Sequence, residues 1–149
     1  MEITFNSITS DNERNADVQS YSLNLNSHDI QVVGKLDIVK IKSLTGVDLP
    51  SDLVQMYPGA IKHVQRNHPG IIEQYGHLIP SMIAHPDYVG QNPKEENSVE
   101  LVKVIGPHLL LAIKLDPSGY IFLSTFFELD NGAYKVQKRL KSGRLVPYN

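Results

Sequence analysis

The spacing of apolar residues changes several times along this 149-residue chain. Alternation at every second position is typical of β-strands, whereas apolar positions three or four residues apart indicate helices. The first half predicts three short strands, at residues 3–5, 21–25 and 30–36. Gly34 marks a bulge or a turn within the third of these strands. A helix at residues 37–45 follows, and Gly46 ends it.

Prolines and N-capping residues divide the middle of the chain into further helices. Ser51 offers an N-cap for a short helical turn. Pro58 suits the first turn of a longer helix, which Pro69 ends. Helical spacing resumes at residues 71–79, and Pro80 either kinks this helix or starts a new one.

The apolar period changes to two in the last third of the chain. Residues 85–89 end the helical half, and residues 90–97 form a polar loop. Three strands are predicted beyond this loop, at residues 99–105, 108–115 and 120–129. Because only short turns separate them, they form an antiparallel meander, and a closing helix follows at residues 134–141.

This order of elements predicts an α+β fold in which N-terminal helices pack on a C-terminal antiparallel β-sheet. Hydrophobic residues make up 41% of the sequence, which is ordinary for a globular chain with a core. We expect one domain over residues 1–149, with a lead-in at residues 1–45 and the core at residues 46–149.

Composition also limits the cellular compartments and the kinds of site that we expect for this protein. The chain contains no cysteine, which excludes disulfides and thiolate metal sites. No apolar run approaches the roughly 20 residues that span a bilayer, so no membrane partner is expected. The N-terminus lacks the features of a signal peptide. We therefore expect a cytoplasmic protein, or one delivered into the cytoplasm of a target cell.

Charge is distributed unevenly along the chain, although its formal net value is only −2. Residues 133–149 contain five basic side chains and no acidic one. Such a basic end attracts a polyanion through its local field, whatever the average charge. The alternative is an ordinary solvated helix face with an exposed tail.

Two histidines and two cations lie within residues 61–69. Cleavage of RNA without a metal needs a base, an acid and a cation that stabilises the charged phosphorane. His63 and His68 can supply the base and the acid near neutral pH, and Lys62 and Arg66 are the adjacent cations. Alternatively, His68 caps the helix C-terminus, and His63 has a half-buried structural role.

Further candidates lie on the last two strands and on the closing helix. The alternation places Thr125 on one face of its strand and Ser124 on the other. Either hydroxyl can donate to a phosphate or simply to a neighbouring carbonyl. Lys114 either extends from a strand end or points into a cleft. Arg139 and Lys138 are candidate phosphate partners, and arginine can form two parallel hydrogen bonds.

No pattern of metal ligands is apparent, so neither a metal nor another cofactor is expected. The sequence lacks the His-Glu-x-x-His motif of zinc hydrolases and any cage of carboxylates. A metal-dependent hydrolase that uses His63, His68 and Glu73 is the alternative to metal-free chemistry.

Five features follow one another between residues 55 and 145. They are His63-x-x-Arg66-x-His68-Pro69, Pro86-Asp87-Tyr88-Val89, Lys114, Ser124-Thr125-Phe126 and Arg139. Together they resemble the Barnase–EndoU–colicin–RelE-like superfamily, in the form found in phage proteins and polymorphic toxins. The resemblance implies helices packed on a four- or five-stranded antiparallel sheet.

The resemblance also implies a function and roles for individual residues. The expected reaction is metal-independent RNA cleavage through a 2′,3′-cyclic phosphate. His63 would be the catalytic histidine, and His68 or Arg66 would assist it. Thr125 or Ser124 would supply the hydroxyl, and Lys114 or Arg139 would hold the phosphate.

We therefore predict a ribonuclease of phage or toxin origin that acts on tRNA or another structured RNA. A toxic enzyme of this kind implies a cognate immunity or antitoxin protein. The alternative is a non-catalytic interaction domain that retains the same fold.

Overall fold

A computed structural model describes residues 2–5 and 21–149 of the protein. The strands are β1 (Glu2–Phe5), β2 (Tyr21–Asn24), β3 (Gln31–Lys35), β4 (Leu53–Met56), β5 (Tyr88–Gln91), β6 (Ser98–Val104), β7 (His108–Leu115), β8 (Ile121–Glu128) and β9 (Val146–Pro147). The helices are α1 (Ile38–Thr45), α2 (Pro58–Asn67), α3 (Ile71–Tyr75), a 3₁₀ turn (Gly76–Leu78), α4 (Ile79–Ala84) and α5 (Gly132–Ser142). Every helix in the described ranges is too short to cross a bilayer.

Seven strands form one sheet in the order β3-β4-β8-β7-β6-β5-β9. All neighbours are antiparallel except β4 and β8, which run parallel through Val54 and Gln55. Strands β1 and β2 form a separate antiparallel pair. The meander β6–β7–β8 lies at the centre of the large sheet, so the predicted α+β fold and its antiparallel sheet are confirmed.

The helix boundaries follow the local signals in the sequence. Asp37 caps α1 by accepting a hydrogen bond from the Lys40 amide, and Gly46 ends the helix with a φ of 79°. Pro58 begins α2 as predicted. The helix predicted at residues 71–79 is broken by the 3₁₀ turn, after which Pro80 lies in the first turn of α4.

Two predictions about short segments are wrong. The helical turn predicted after Ser51 is strand β4, in which Val54 and Met56 alternate into the core. Residues 88–91, for which the sequence predicts the end of the helical half and the start of a loop, form β5 between β6 and β9. Four residues are too few to show an apolar period in the sequence. These strands are therefore recognisable only from their pairing with neighbouring strands. The sheet consequently has seven strands instead of the expected four or five.

The large sheet separates two hydrophobic clusters. Alternate residues of β7, including Leu109 and Leu111, face a large cluster that contains Ile61 and Val64 of α2. Leu110 and Ala112 face the opposite side, where they pack with Val136 of α5. We call this second side the α5 face. It is covered by α5 at one end only, and the remainder carries the polar residues described below.

Candidate active site

The two histidines of α2 lie in different environments. His63 is exposed, and its Nδ1 lies 2.9 Å from Nδ2 of Asn67, one helical turn later. His68 is half-buried at the C-terminal end of the helix, as one alternative predicted. Its ring stacks on Phe127 of β8, with the centroids 4.9 Å apart and the planes inclined by 18°.

The surroundings of His68 favour its neutral form. Burial of the imidazole lowers its pKa, and the nearby charge of His63 lowers that pKa further. His68 is therefore neutral at physiological pH and able to accept a proton.

The other candidate residues on α2 and α3, Arg66 and Glu73, are exposed. Arg66 lies one turn from His63 on the outer side of the helix. Glu73, on α3, was the acid considered for a metal site with the two histidines. Within residues 2–5 and 21–149, no three histidine or carboxylate side chains are grouped closely enough to hold a metal ion.

A β-bulge decides where the hydroxyls of β8 lie. Thr125 pairs with Ala112 of β7, but Ile113 pairs with Leu123, so Ser124 is an extra residue on β8. Beyond the bulge, the residues of β8 lie on the opposite faces from those that strict alternation predicts. Phe126 is therefore part of the large hydrophobic cluster. Thr125 therefore lies on the α5 face and Leu123 on the core face, although strict alternation would place the two on the same face.

Ser124 and Thr125 consequently lie in different environments. The Ser124 hydroxyl donates to the carbonyl oxygen of Ala112 at 3.3 Å, which is the structural alternative foreseen for it. Thr125 is half-buried and belongs to the same cross-strand row as Ala112 and Glu100. Two strand spacings place its Cα roughly 10 Å from that of Glu100.

A buried ion pair on the α5 face escaped the sequence analysis. Glu100 of β6 is only 4% exposed, and its two carboxylate oxygens accept hydrogen bonds from Nε and Nη2 of Arg144 at 2.9 and 3.0 Å. One signal pointed to it, because Glu100 interrupts an apolar strand between Val99 and Leu101. A carboxylate in such a position requires a cationic partner.

Arg139 of α5 lies beside this pair. Its Nη1 is buried and has no hydrogen-bond partner in the described part of the chain. Burial lowers the pKa of the guanidinium, the charge of Arg144 lowers it further, and Glu100 raises it. The one carboxylate is already bound to Arg144, so Arg139 retains an unsatisfied donor and positive charge. This arrangement favours an anion.

Lys114 lies one row further along the same face. Its Nζ is 3.1 Å from Glu95 in the loop between β5 and β6, and both side chains are about half exposed. Ser98 and Phe122 flank Lys114 on the neighbouring strands, and the buried Ser98 hydroxyl has no partner among the described residues. Lys138 is exposed on α5.

The candidate residues thus divide into three groups. Thr125, Arg139 and Lys114 lie on the α5 face, together with the unpredicted Glu100–Arg144 pair. His68 lies at the edge of this face because it stacks on Phe127, which shares a side of β8 with Thr125. The exposed or separately bonded residues are His63, Arg66, Ser124 and Lys138.

Comparisons with known proteins agree with this architecture. A family model described as phage-Barnase-EndoU-ColicinE5/D-RelE like nuclease 3 (PBECR3) matches residues 31–135. Searches of curated proteins and of solved structures found no significant match. The match begins earlier than the resemblance predicted and includes β3, α1 and β4. It contains Thr125, Lys114 and Glu100, whereas Arg139 and Arg144 lie beyond its end. The chain belongs to this family, as the superfamily resemblance predicted.

Proposed function

We propose that the protein is a metal-independent endoribonuclease whose substrate binds on the α5 face. The observation that carries this proposal is the unsatisfied guanidinium of Arg139 beside the Glu100–Arg144 pair. A buried guanidinium nitrogen with an unused donor is costly in the free protein, and a phosphate oxygen satisfies both the charge and the hydrogen bond. Membership of a nuclease family supports a phosphodiester as the ligand.

The reaction assigns a proton transfer to each histidine. Neutral His68 removes the proton of the substrate 2′-hydroxyl, and the resulting oxygen attacks phosphorus. Protonated His63 donates a proton to the departing 5′-oxygen as the P–O5′ bond breaks. The products are a 2′,3′-cyclic phosphate and a 5′-hydroxyl. Glu100 is a poor choice of base because Arg144 engages both of its oxygens.

The remaining groups stabilise the phosphorane. Arg139 donates to its non-bridging oxygens, and Lys114 adds a second positive charge. The Thr125 hydroxyl donates from the sheet surface. Because Arg144 occupies both carboxylate oxygens of Glu100, the Arg139 guanidinium stays available to the substrate. Arg66 and Lys138 are placed to contact the RNA backbone outside the reacting phosphate.

The biological setting is part of the same proposal. The substrate is tRNA or another structured RNA in a cytoplasm, reached by a protein of phage or toxin origin. A cognate immunity or antitoxin protein would protect the producing cell. The basic side chains of α5 and the segment after it favour such a polyanionic partner.

The test is cleavage of total tRNA and of a mixed RNA pool in EDTA by wild type, Arg139→Ala and His63→Ala. Lys141→Ala is the matched control, because it removes an exposed cation from the same helix. Wild type and the control should yield products with cyclic-phosphate ends, and the other two variants should lose roughly 10²-fold or more in rate.

Other outcomes separate the alternatives. Cleavage abolished by EDTA and restored by zinc or manganese would replace this mechanism with a metal-dependent one. RNA that is bound but intact in every lane would support the non-catalytic interaction domain. Unfolding of His63→Ala would indicate a structural histidine.

A further inference from the structure

Three aromatic rings cluster at the end of the α5 face that α5 leaves uncovered. Tyr57 follows β4 and stacks on Phe122 of β8, with ring centroids 5.4 Å apart and planes inclined by 27°. Tyr120 meets Tyr57 edge to face, with centroids 5.7 Å apart. All three side chains are half-buried and lie outside both hydrophobic clusters. Their rings therefore retain accessible apolar surface.

The cluster adjoins the proposed phosphate site. Phe122 pairs across the strands with Lys114, whose side chain is about half exposed. Ala112, in the Thr125 row, lies two residues from Lys114 along β7, which is roughly 7 Å. One nucleotide spans this distance. A strand whose phosphate contacts Arg139 and Thr125 can thus place a neighbouring base on the aromatic cluster.

We propose that Tyr57 and Phe122 form a base-stacking subsite for a nucleotide next to the scissile phosphate, with Tyr120 supporting the Tyr57 ring. The inference rests on the proposed ribonuclease function and names a further part of its site. Stacking suits any base, since every base has a π-face. The Tyr57 hydroxyl is buried and makes no hydrogen bond among the described residues, so Tyr57→Phe removes no hydrogen bond and keeps the ring.

The test measures binding separately from cleavage. A 2′-O-methyl RNA hexamer lacks the attacking hydroxyl, so it binds without being cut. Fluorescence anisotropy compares the intact hexamer with versions that carry one abasic position each. Wild type should lose about tenfold in affinity at one position. Tyr57→Leu should reduce this ratio to near one, and Tyr57→Phe should restore it.

Two controls keep the result interpretable. Tyr134→Leu removes an exposed tyrosine from α5 and should retain the wild-type ratio. The ratio of two affinities is insensitive to the folded fraction, and Phe122→Leu provides a second variant if Tyr57→Leu is unstable. An abasic effect that is absent in wild type, or unchanged in both Leu variants of the cluster, would overturn the subsite.

A parallel assay with unmodified RNA separates this inference from the proposed function. If the wild type cleaves RNA but shows no abasic effect, the subsite is refuted and the proposed ribonuclease function is retained. An abasic effect that depends on Tyr57, in a protein that cuts no RNA, would retain the subsite and refute the ribonuclease.

Discussion

Glu100 and Arg144 form a bidentate ion pair across 44 positions of the sequence, with hydrogen bonds of 2.9 and 3.0 Å. The pair joins the central strand β6 to the segment that follows α5. With Arg139 beside it, the group contains two guanidinium groups and one carboxylate. Glu100 belongs to the cross-strand row that contains Thr125, which is why we place the substrate phosphate there.

Glu100→Gln should destabilise the fold substantially. Removing one partner of a buried pair leaves a charge without compensation, at a cost of about 3 kcal/mol. The matched control is Glu95→Gln, which breaks the half-exposed pair with Lys114 and should cost less than about 1 kcal/mol. Urea unfolding of both variants measures the difference. Equal losses would mean that the Glu100 pair behaves like a surface contact.

Arg139→Ala should abolish stabilisation by phosphate. An anion that binds only the folded state raises its melting temperature. Inorganic phosphate should therefore raise the melting temperature of wild type and of Lys141→Ala, but not that of Arg139→Ala. Without phosphate, Arg139→Ala should change stability by less than about 1 kcal/mol, because no hydrogen bond of Nη1 is lost. An equal phosphate effect in all three proteins would place the anion elsewhere.

The stability of the protein should fall on acidification through His68. Its pKa in the folded state is lowered from the ordinary value of 6.5, first by burial and then by His63. Below about pH 6.5 the unfolded chain binds the proton more readily than the folded one, so stability decreases as pH falls through this range. Above it, both states are neutral at this position and the contribution is constant.

The variant His68→Phe isolates this contribution while keeping an aromatic ring against Phe127. Its free energy of unfolding should fall less than that of wild type between about pH 7.5 and about pH 5.5. His77→Gln, which removes an exposed imidazole, should retain the wild-type pH slope. If His68→Phe also retains that slope, His68 is not the group responsible.

Gly90→Ala should disrupt the site from the neighbouring strand. Gly90 pairs with Glu100 across β5 and β6, and an added Cβ would collide with the backbone carbonyl oxygen of Arg144. The substitution should displace Arg144 and lower both stability and RNA cleavage. Gly59→Ala is the control, since a Cβ on this α2 residue meets no atom within 4 Å. Thermal unfolding should leave Gly59→Ala near wild type, and a similarly stable Gly90→Ala would contradict the argument.

The sequence alone determined the elements whose signals are local. The alternation of β6, β7 and β8 and the turns between them predicted the central meander. Asp37 and Gly46 bounded α1, and Pro58 and Pro69 bounded α2, because capping and proline geometry depend only on adjacent residues. The superfamily resemblance rested on the same local segments, and the family match confirmed it.

Only the tertiary structure decided which of these residues meet. The bulge at Ser124 moved Thr125 to the α5 face, and it depends on how β8 pairs with β7. Strands β4 and β5 are defined by their neighbours, since four residues carry too little periodicity. The Glu100–Arg144 pair joins two distant segments, and only the folded sheet brings them together. Local patterns cannot specify such contacts, because each requires the register of several strands at once.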